Sequence, residues 1–249
     1  MVCIAIANRK GGVGKTTIAV ALGQWLAERG RTLLIDLDSQ ANATEQLGLR
    51  LQPGVFSWLA SAGEPTVERW GEGLELIAGD ASTERLNLIM ASEGEMGGLG
   101  RGLEQMEGSY RWVVMDCPPS MSMVTRAAIY AADYVLCPTL CEYLSVAGVR
   151  QLVVLMARMR EQLGRSVRLM GIVPNRYDRR TNEHRTNLRH LVRAYGAYGS
   201  RGAGRTWPPL GQAIAVARAS AEGVPIWGTL KGRNLDEWTA LAERVATYE

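Results

Sequence analysis

The stretch VCIAIANRKGGVGKTT, from Val2 to Thr17, decides the fold. Residues 2–7 are continuously apolar, as a strand covered on both faces must be. Residues 16–29 then place Ile18, Leu22, Trp25 and Leu26 on one helical face, and Gly30 reads as the helix stop. Between strand and helix lie Gly11, Gly12, Val13 and Gly14. A glycine-rich turn running into a helix N-terminus is an anion site, because free backbone N–H groups and the positive end of the helix dipole converge on one point. Lys15 is placed to reach the β- and γ-phosphates of a nucleotide and the Thr16 hydroxyl to bind Mg²⁺, with Thr17 next in the same helical turn.

The stretch departs from two common patterns. The general phosphate loop, G-x-x-x-x-G-K-[ST], requires glycine where Arg9 stands. The dinucleotide pattern fails because Thr17 occupies its third glycine position. What stands here is K-G-G-x-G-K-T-T, from Lys10 to Thr17. Of the 28 basic residues only Lys10, Lys15 and Lys231 are lysines, so a chain that elsewhere prefers arginine keeps two compact ammonium groups in one loop.

Outward from this loop, short apolar runs alternate with helical periodicity. Strands are expected at 2–7, 32–37, 74–78, 112–116, 134–138 and 168–173. Helices are expected at 16–29, 145–163 and 183–195, and from a cap at Asn234 onward. Gly94 to Gly102 and Gly196 to Gly204 read as surface loops. This alternation predicts an α/β fold, a doubly wound, mostly parallel sheet with helices on both faces. No linker divides the chain, so residues 1–249 are read as one domain. No apolar run approaches the roughly 18 residues that a membrane span needs, and no leader precedes Val2, which predicts a cytoplasmic protein. Cys3, Cys117, Cys137 and Cys141 lie mostly in apolar runs and do not form a disulfide framework. Cys137 and Cys141, four residues apart, read as buried thiols in preference to a two-ligand metal site.

Two further segments carry acids. Asp36 and Asp38 share one side of the second strand and emerge at its C-terminal end, where open α/β sheets bind ligands. The apolar run 112–115 ends in Asp116, as a strand that holds a carboxylate beside a metal requires. Asn175 ends a later strand; an amide there serves either an adenine edge or a buried turn.

Together these segments resemble the deviant Walker A ATPases of the ParA/MinD/nitrogenase-iron-protein superfamily, and most of all the short, Soj-like ParA partition ATPases. The shared features are Lys10–Thr17, the segment Asp36-Leu-Asp38-Ser-Gln40-Ala-Asn42-Ala-Thr44, where Ser39 replaces the family's proline, and Asp116-Cys-Pro-Pro-Ser120. Regions 60–110 and 196–207 match nothing in that pattern. The resemblance implies a P-loop ATPase fold, ATP and Mg²⁺ as cofactors, and an ATP-dependent homodimer in which Lys10 reaches the partner's phosphates. It also implies that Asp38 activates the attacking water, that Asp36 and Asp116 serve the Mg²⁺ with Thr16, and that Asn175 contacts adenine.

Charge separates the branches of that superfamily. Residues 1–125 carry 10 Lys+Arg and 15 Asp+Glu; residues 126–249 carry 18 and 10. A basic second half suits a polyanion. Arg185, Arg189 and Arg193, spaced by four, form a stripe that suits a phosphate backbone, though a solvated helix face is the plainer alternative. Arg218 matches the region where the family carries a DNA-contacting arginine. The C-terminal stretch has no basic amphipathic face for a membrane, and the cysteines do not suit a shared iron–sulfur cluster. The expected function is therefore partition of plasmid or chromosome, with non-specific DNA and a centromere-binding, ParB-like or other adaptor as partners and a nucleoid location. A positioning ATPase for a protein cargo (carboxysome or chemoreceptor) is the alternative, ahead of a MinD-like or iron-protein-like ATPase.

Overall fold

The computed structural model describes residues 1–61, 63–93, 96–164, 167–196 and 204–248. The chain runs β1 (Val2–Ile6), α1 (Lys15–Ala27), β2 (Thr32–Asp36), α2 (Asn42–Gln46), α3 (Gly54–Ser61), β3 (Glu68–Trp70) and β4 (Leu74–Ile77). A 3₁₀ turn (Ala81–Arg85) leads into α4 (Leu86–Glu93), α5 (Gly98–Glu104), β5 (Trp112–Asp116), α6 (Met123–Ala131), β6 (Tyr134–Leu140) and α7 (Tyr143–Leu163). β7 (Arg168–Asn175), α8 (Asn182–Tyr195), α9 (Ile214–Glu222) and α10 (Gly232–Ala246) complete it.

The strands join one sheet in the order β3-β4-β2-β5-β1-β6-β7. β3 pairs antiparallel with β4, and the other described ladders are parallel. Because strand side chains alternate, the apolar runs feed two cores. Ile4, Ile6, Leu34, Trp112 and Val114 enter a core with α1, α9 and α10. Cys3, Ala5, Leu33, Ile35, Val113 and Met115 enter the opposite core with α5, α6 and α7. Both faces are covered, which is why these strands carry no polar alternation. The expected fold class stands.

Some local expectations do not. Gly98–Glu104 is helical, not loop, because Leu99 and Leu103, one turn apart, are both buried. Gly102 in that helix lies against the Trp58 indole, where a Cβ has no room. Gly94 and the bulk of 196–204 lie outside the described residues. α1 closes at Glu28 in the right-handed region, so Gly30 is not its stop; Gly30 instead permits close approach of Arg111 and Trp112. α10 begins at Gly232 with Lys231 as its cap, which places Asn234 inside the first turn.

Gly171 in β7 faces the indole of the fully buried Trp207, and a Cβ there would overlap the ring. Gly171→Ala is expected to lower unfolding free energy by about 1–3 kcal/mol, the usual cost of overpacking. The measurement is urea denaturation, where the midpoint falls at unchanged slope; an unmoved midpoint would mean that Trp207 has space to swing aside.

Candidate nucleotide-binding site

Three strands end side by side at the head of the sheet. Ile6 of β1 and Asp36 of β2 both stand opposite Asp116 of β5 in the parallel registers. The loop after β1 and two carboxylates therefore leave the sheet at one level. This is the C-terminal edge, where open α/β sheets place their ligands.

The loop after β1 is braced from both sides. Asn8 is fully buried; its Nδ2 donates to the Pro138 carbonyl at 2.7 Å and its Oδ1 accepts from the Lys10 amide at 3.1 Å. Gly12 and Gly14 have φ of 72° and 95°, values that disfavour any Cβ. Gly14 is also the residue from which α1 starts, so its left-handed backbone turns the loop into the helix. Asn175, at the end of β7, donates from Nδ2 to the Val13 carbonyl at 3.0 Å and accepts from the Arg176 amide at 2.9 Å. It braces the loop with half of its hydrogen-bonding capacity and keeps the rest.

Lys15 is buried, and its Nζ donates to the Lys10 carbonyl at 3.4 Å. Burial pulls its pKa down; the carboxylates of Asp116 and Asp38 act in the opposite sense. An ammonium folded back on its own loop at such a long distance has much to gain from a phosphate oxygen.

The three acids differ in surroundings. Asp36 is fully buried and accepts from the Thr44 amide at 2.8 Å, the Thr44 hydroxyl at 2.7 Å and the Asp38 amide at 3.3 Å. Burial nonetheless raises its pKa to about 6. Asp36 thus organises the turn 37–44. Asp38 accepts from the Gln40 amide at 3.1 Å and faces the cleft. Asp116 is fully buried, and neither carboxylate oxygen has a hydrogen-bond partner. Burial first, and then the charge of Asp36, push its pKa well above the usual range; the nearby Thr16 hydroxyl offsets this only in part.

A buried carboxylate with no donor is costly unless a cation completes it. Mg²⁺ fits that gap, since it takes one or two carboxylates and otherwise phosphate and water oxygens, with no need of an all-protein cage. Thr16, Asp36 and Asp116 are hard oxygen donors at the right end of the sheet.

A cleft of about 610 Å³ opens over the loop. Gly11, Gly12, Gly14, Lys15, Thr16 and Thr17 line it, as the sequence predicts. Val13 is buried beneath it, and Lys10 is half-buried without lining the cleft of its own chain. Sequence reasoning did not assign Gln46, Arg176, Ala217 and Ser220 to the cleft, which they also line. Arg176 adjoins the Asn175 already singled out, and Ala217 and Ser220 flank Arg218 in the segment read for DNA; Gln46 carries no local signal.

The arginines are placed elsewhere. Arg185, Arg189 and Arg193 are exposed on α8 above the buried Leu188 and Leu191, and with Tyr177 and Val192 they line a groove of about 670 Å³. Arg185 bonds Asn182, and Arg189 bonds the Thr186 hydroxyl at 3.3 Å. Arg218 is exposed on α9, paired with Glu222 at 2.7 Å. All four cysteines are free and buried.

Comparison with known proteins places the chain in a family. A family model described as an AAA domain matches residues 1–169. The chromosome-partitioning ATPase Soj of Thermus thermophilus is 39% identical over 182 residues, covering 72% of this chain and 70% of that protein. The chromosome partitioning protein ParA of Caulobacter vibrioides is 38% identical over 189 residues, covering 72% and 71%. In fold, McdA of Cyanothece superposes with a TM-score of 0.88 at 21% identity, covering 98% of this chain and 99% of that one. A cobyrinic acid a,c-diamide synthase from Mycobacterium smegmatis, with an ATP analogue and magnesium bound, gives 0.80 at 28% identity, covering 100% and 95%. By domain match, sequence identity and coverage, the chain belongs to the Soj/ParA family of partitioning ATPases.

Proposed function

We propose that the protein is a ParA-type partition ATPase. It binds MgATP, closes into a homodimer, holds duplex DNA without sequence preference in that state, and lets go when a ParB-like or other adaptor on the cargo stimulates hydrolysis. The observation that carries the reading is the convergence of Lys15, Thr16, Asp38 and Asp116 at the ends of three adjacent strands. The Soj and ParA relatives support partition as the use of this site. The likeness to McdA, at 21% identity, speaks for the fold alone and does not favour a protein cargo. Among the described residues no helix is long and apolar enough to cross a membrane; the nucleoid location is inferred from the chromosome-partitioning relatives.

The chain's residues divide the work by position. Loop amides and Lys15 hold the phosphates, and Asp38, at the cleft wall, orients and deprotonates water. Lys10, free of its own cleft, reaches that of the partner protomer and adds positive charge where the transition state is most anionic. Thr16 and Asp116 would hold a magnesium ion, with Asp36 organising the turn beside them, and the ion would supply electrostatic stabilisation of the γ-phosphoryl group. Asn175 keeps capacity for an adenine contact. α9 joins the two activities: Ala217 and Ser220 line the cleft while Arg218 on the same helix faces solvent.

DNA binding tests the whole. In filter or anisotropy assays with unrelated duplexes, binding is expected with ATP and not with ADP, and it weakens steeply with salt. Replacing Arg185, Arg189 and Arg193 by alanine should flatten the salt slope by roughly 2–3 log units per log unit, about 0.9 for each phosphate that is no longer neutralised. Arg218→Glu should weaken binding with the dimer intact. Equal binding in both nucleotide states would remove the switch.

A further inference from the structure

A second groove, of about 960 Å³, adjoins the nucleotide cleft. One face of α7 forms a side of it: Ala147, Arg150, Gln151, Val154, Leu155 and Arg158 recur at helical spacing, and all of them line it. Arg9 of the phosphate loop, the turn Pro119–Met121 after β5, and Arg126 of α6 line the remainder. Pro119 lines both the groove and the cleft, and Gly11 of the phosphate loop lies against it.

The chemistry of this groove is one-sided. Four guanidinium groups line it and no carboxylate does. Arg9 bonds the neutral Gln151 side chain at 2.8 Å, and Arg126 bonds the Met121 carbonyl at 3.1 Å. Arg150 and Arg158 are exposed, and among the described residues none of the four has an ion-pair partner. Elsewhere exposed arginines of this chain sit beside acids: Arg180 by Asp178, Arg218 by Glu222 and Arg233 by Glu237. Uncompensated cations around one concavity repel each other, a cost that an anionic occupant removes. The groove is also partly apolar. Val154, between Arg150 and Arg158 at intervals of four, is 42% exposed, and Met121 and Leu155 are half-buried. A phosphate backbone gains nothing from that strip. A polypeptide with an apolar side chain flanked by carboxylates satisfies both features, since guanidinium and carboxylate pair through two parallel hydrogen bonds.

We propose that this groove docks an acidic, amphipathic segment of a partner protein. Carboxylates of the segment pair with Arg126, Arg150 and Arg158, and its apolar side chains cover Val154 and Leu155. The groove shares no lining residue with the arginine groove on α8, so DNA and the segment can be held at the same time. Through Pro119 an occupant touches the turn that follows Asp116, and by linkage a nucleotide in the cleft then changes the segment's affinity. That coupling rests on the MgATP reading of the cleft; the docking itself rests on the groove.

Short random peptides displayed on phage, selected on the whole protein with and without MgATP and then remade with a fluorescent label, test the proposal. The recovered peptides are expected to be rich in aspartate and glutamate with apolar residues between them, and to bind less tightly as salt rises. Their affinity should fall at least about tenfold in Arg150→Glu/Arg158→Glu, where like charges now meet. An equal change of charge at remote exposed positions, Arg50→Glu/Arg69→Glu, should leave it unchanged. Equal melting temperatures for parent and variants show that the fold is kept. Peptides without an acidic bias, or acidic peptides that bind parent and Arg150→Glu/Arg158→Glu alike, overturn the proposal. Loss of duplex DNA binding in that variant, with no acidic peptide recovered on the parent, also overturns it and makes the groove a nucleic-acid surface. Loss of the ATP-dependent dimer in the same variant overturns it in favour of an interface between copies. A parent protein that does not bind MgATP removes the nucleotide reading and the coupling with it, while peptide binding to the ligand-free protein still decides the docking.

Discussion

Lys15→Ala is expected to give a folded protein that no longer binds MgATP. The ammonium is buried and held in the free protein by one long bond to the Lys10 carbonyl. Its removal therefore takes little from the free fold, and the desolvated charge disappears with it. In the complex the same group makes charge-assisted bonds to phosphate, each worth roughly 1.5–3 kcal/mol. Affinity measured by calorimetry should fall by at least about a hundredfold, since 1.4 kcal/mol is a factor of ten. Thermal unfolding gives an independent reading. The parent at a hundred times its Kd gains about 2.7 kcal/mol, or roughly 5–10 °C in a chain of this size. Lys15→Ala should show no such rise at the same concentration. Retained affinity would mean that the phosphates are held elsewhere.

That residue was legible in the sequence because the motif that carries it is local. Strand, glycine turn, lysine and helix follow one another within Val2–Thr17, and the distant residues Pro138 and Asn175 brace that loop without supplying its pattern. The fold class was legible for a similar reason. A strand covered on both faces is apolar throughout, so β1, β2, β5 and β6 announce themselves and imply a parallel sheet. The strand order was not legible. Nothing in Trp112–Asp116 says that β5 inserts between β1 and β2, because every central strand offers the same apolar edge to its neighbours. β3 escaped notice because it is a three-residue, half-exposed edge strand without periodicity to read. The helix at Gly98–Glu104 was concealed by its glycines, which indicate a loop locally; contact with Trp58 is what requires a small residue there.

The cleft shows the same division. Asp36, Asp38 and Asp116 were found because each ends an apolar strand. Their different surroundings were not, since these depend on packing: Thr44 occupies Asp36, while Asp116 is buried with only the Thr16 hydroxyl near it. Gln46 and Ser220 come together only when α2 and α9 pack, and each alone is an ordinary polar residue in a short helix. A wall assembled from distant elements leaves no pattern along the chain.

Asp38→Ala is expected to separate binding from turnover. The phosphates are held by the loop and Lys15, so ATP affinity should stay close to that of the parent. A positioned base contributes roughly 10²–10⁴ in rate, and steady-state hydrolysis should fall by that much. With hydrolysis slowed, the ATP dimer accumulates, and DNA binding in ATP persists long after the parent has released. One structural role of Asp38 must be kept apart from the chemical one. Its Oδ1 accepts from the Gln40 amide at 3.1 Å, so alanine also loosens the turn that carries Gln40 and Asn42 into the cleft. Asp38→Asn is the control, because its amide oxygen preserves that bond while the basic carboxylate is lost. If the carboxylate deprotonates water, both variants are equally slow. If Asp38 only shapes the turn, the asparagine variant hydrolyses ATP at nearly the parental rate, and the base must be sought in another residue of the cleft. Single-turnover hydrolysis with radiolabelled ATP, measured on both variants beside the parent, decides between these outcomes.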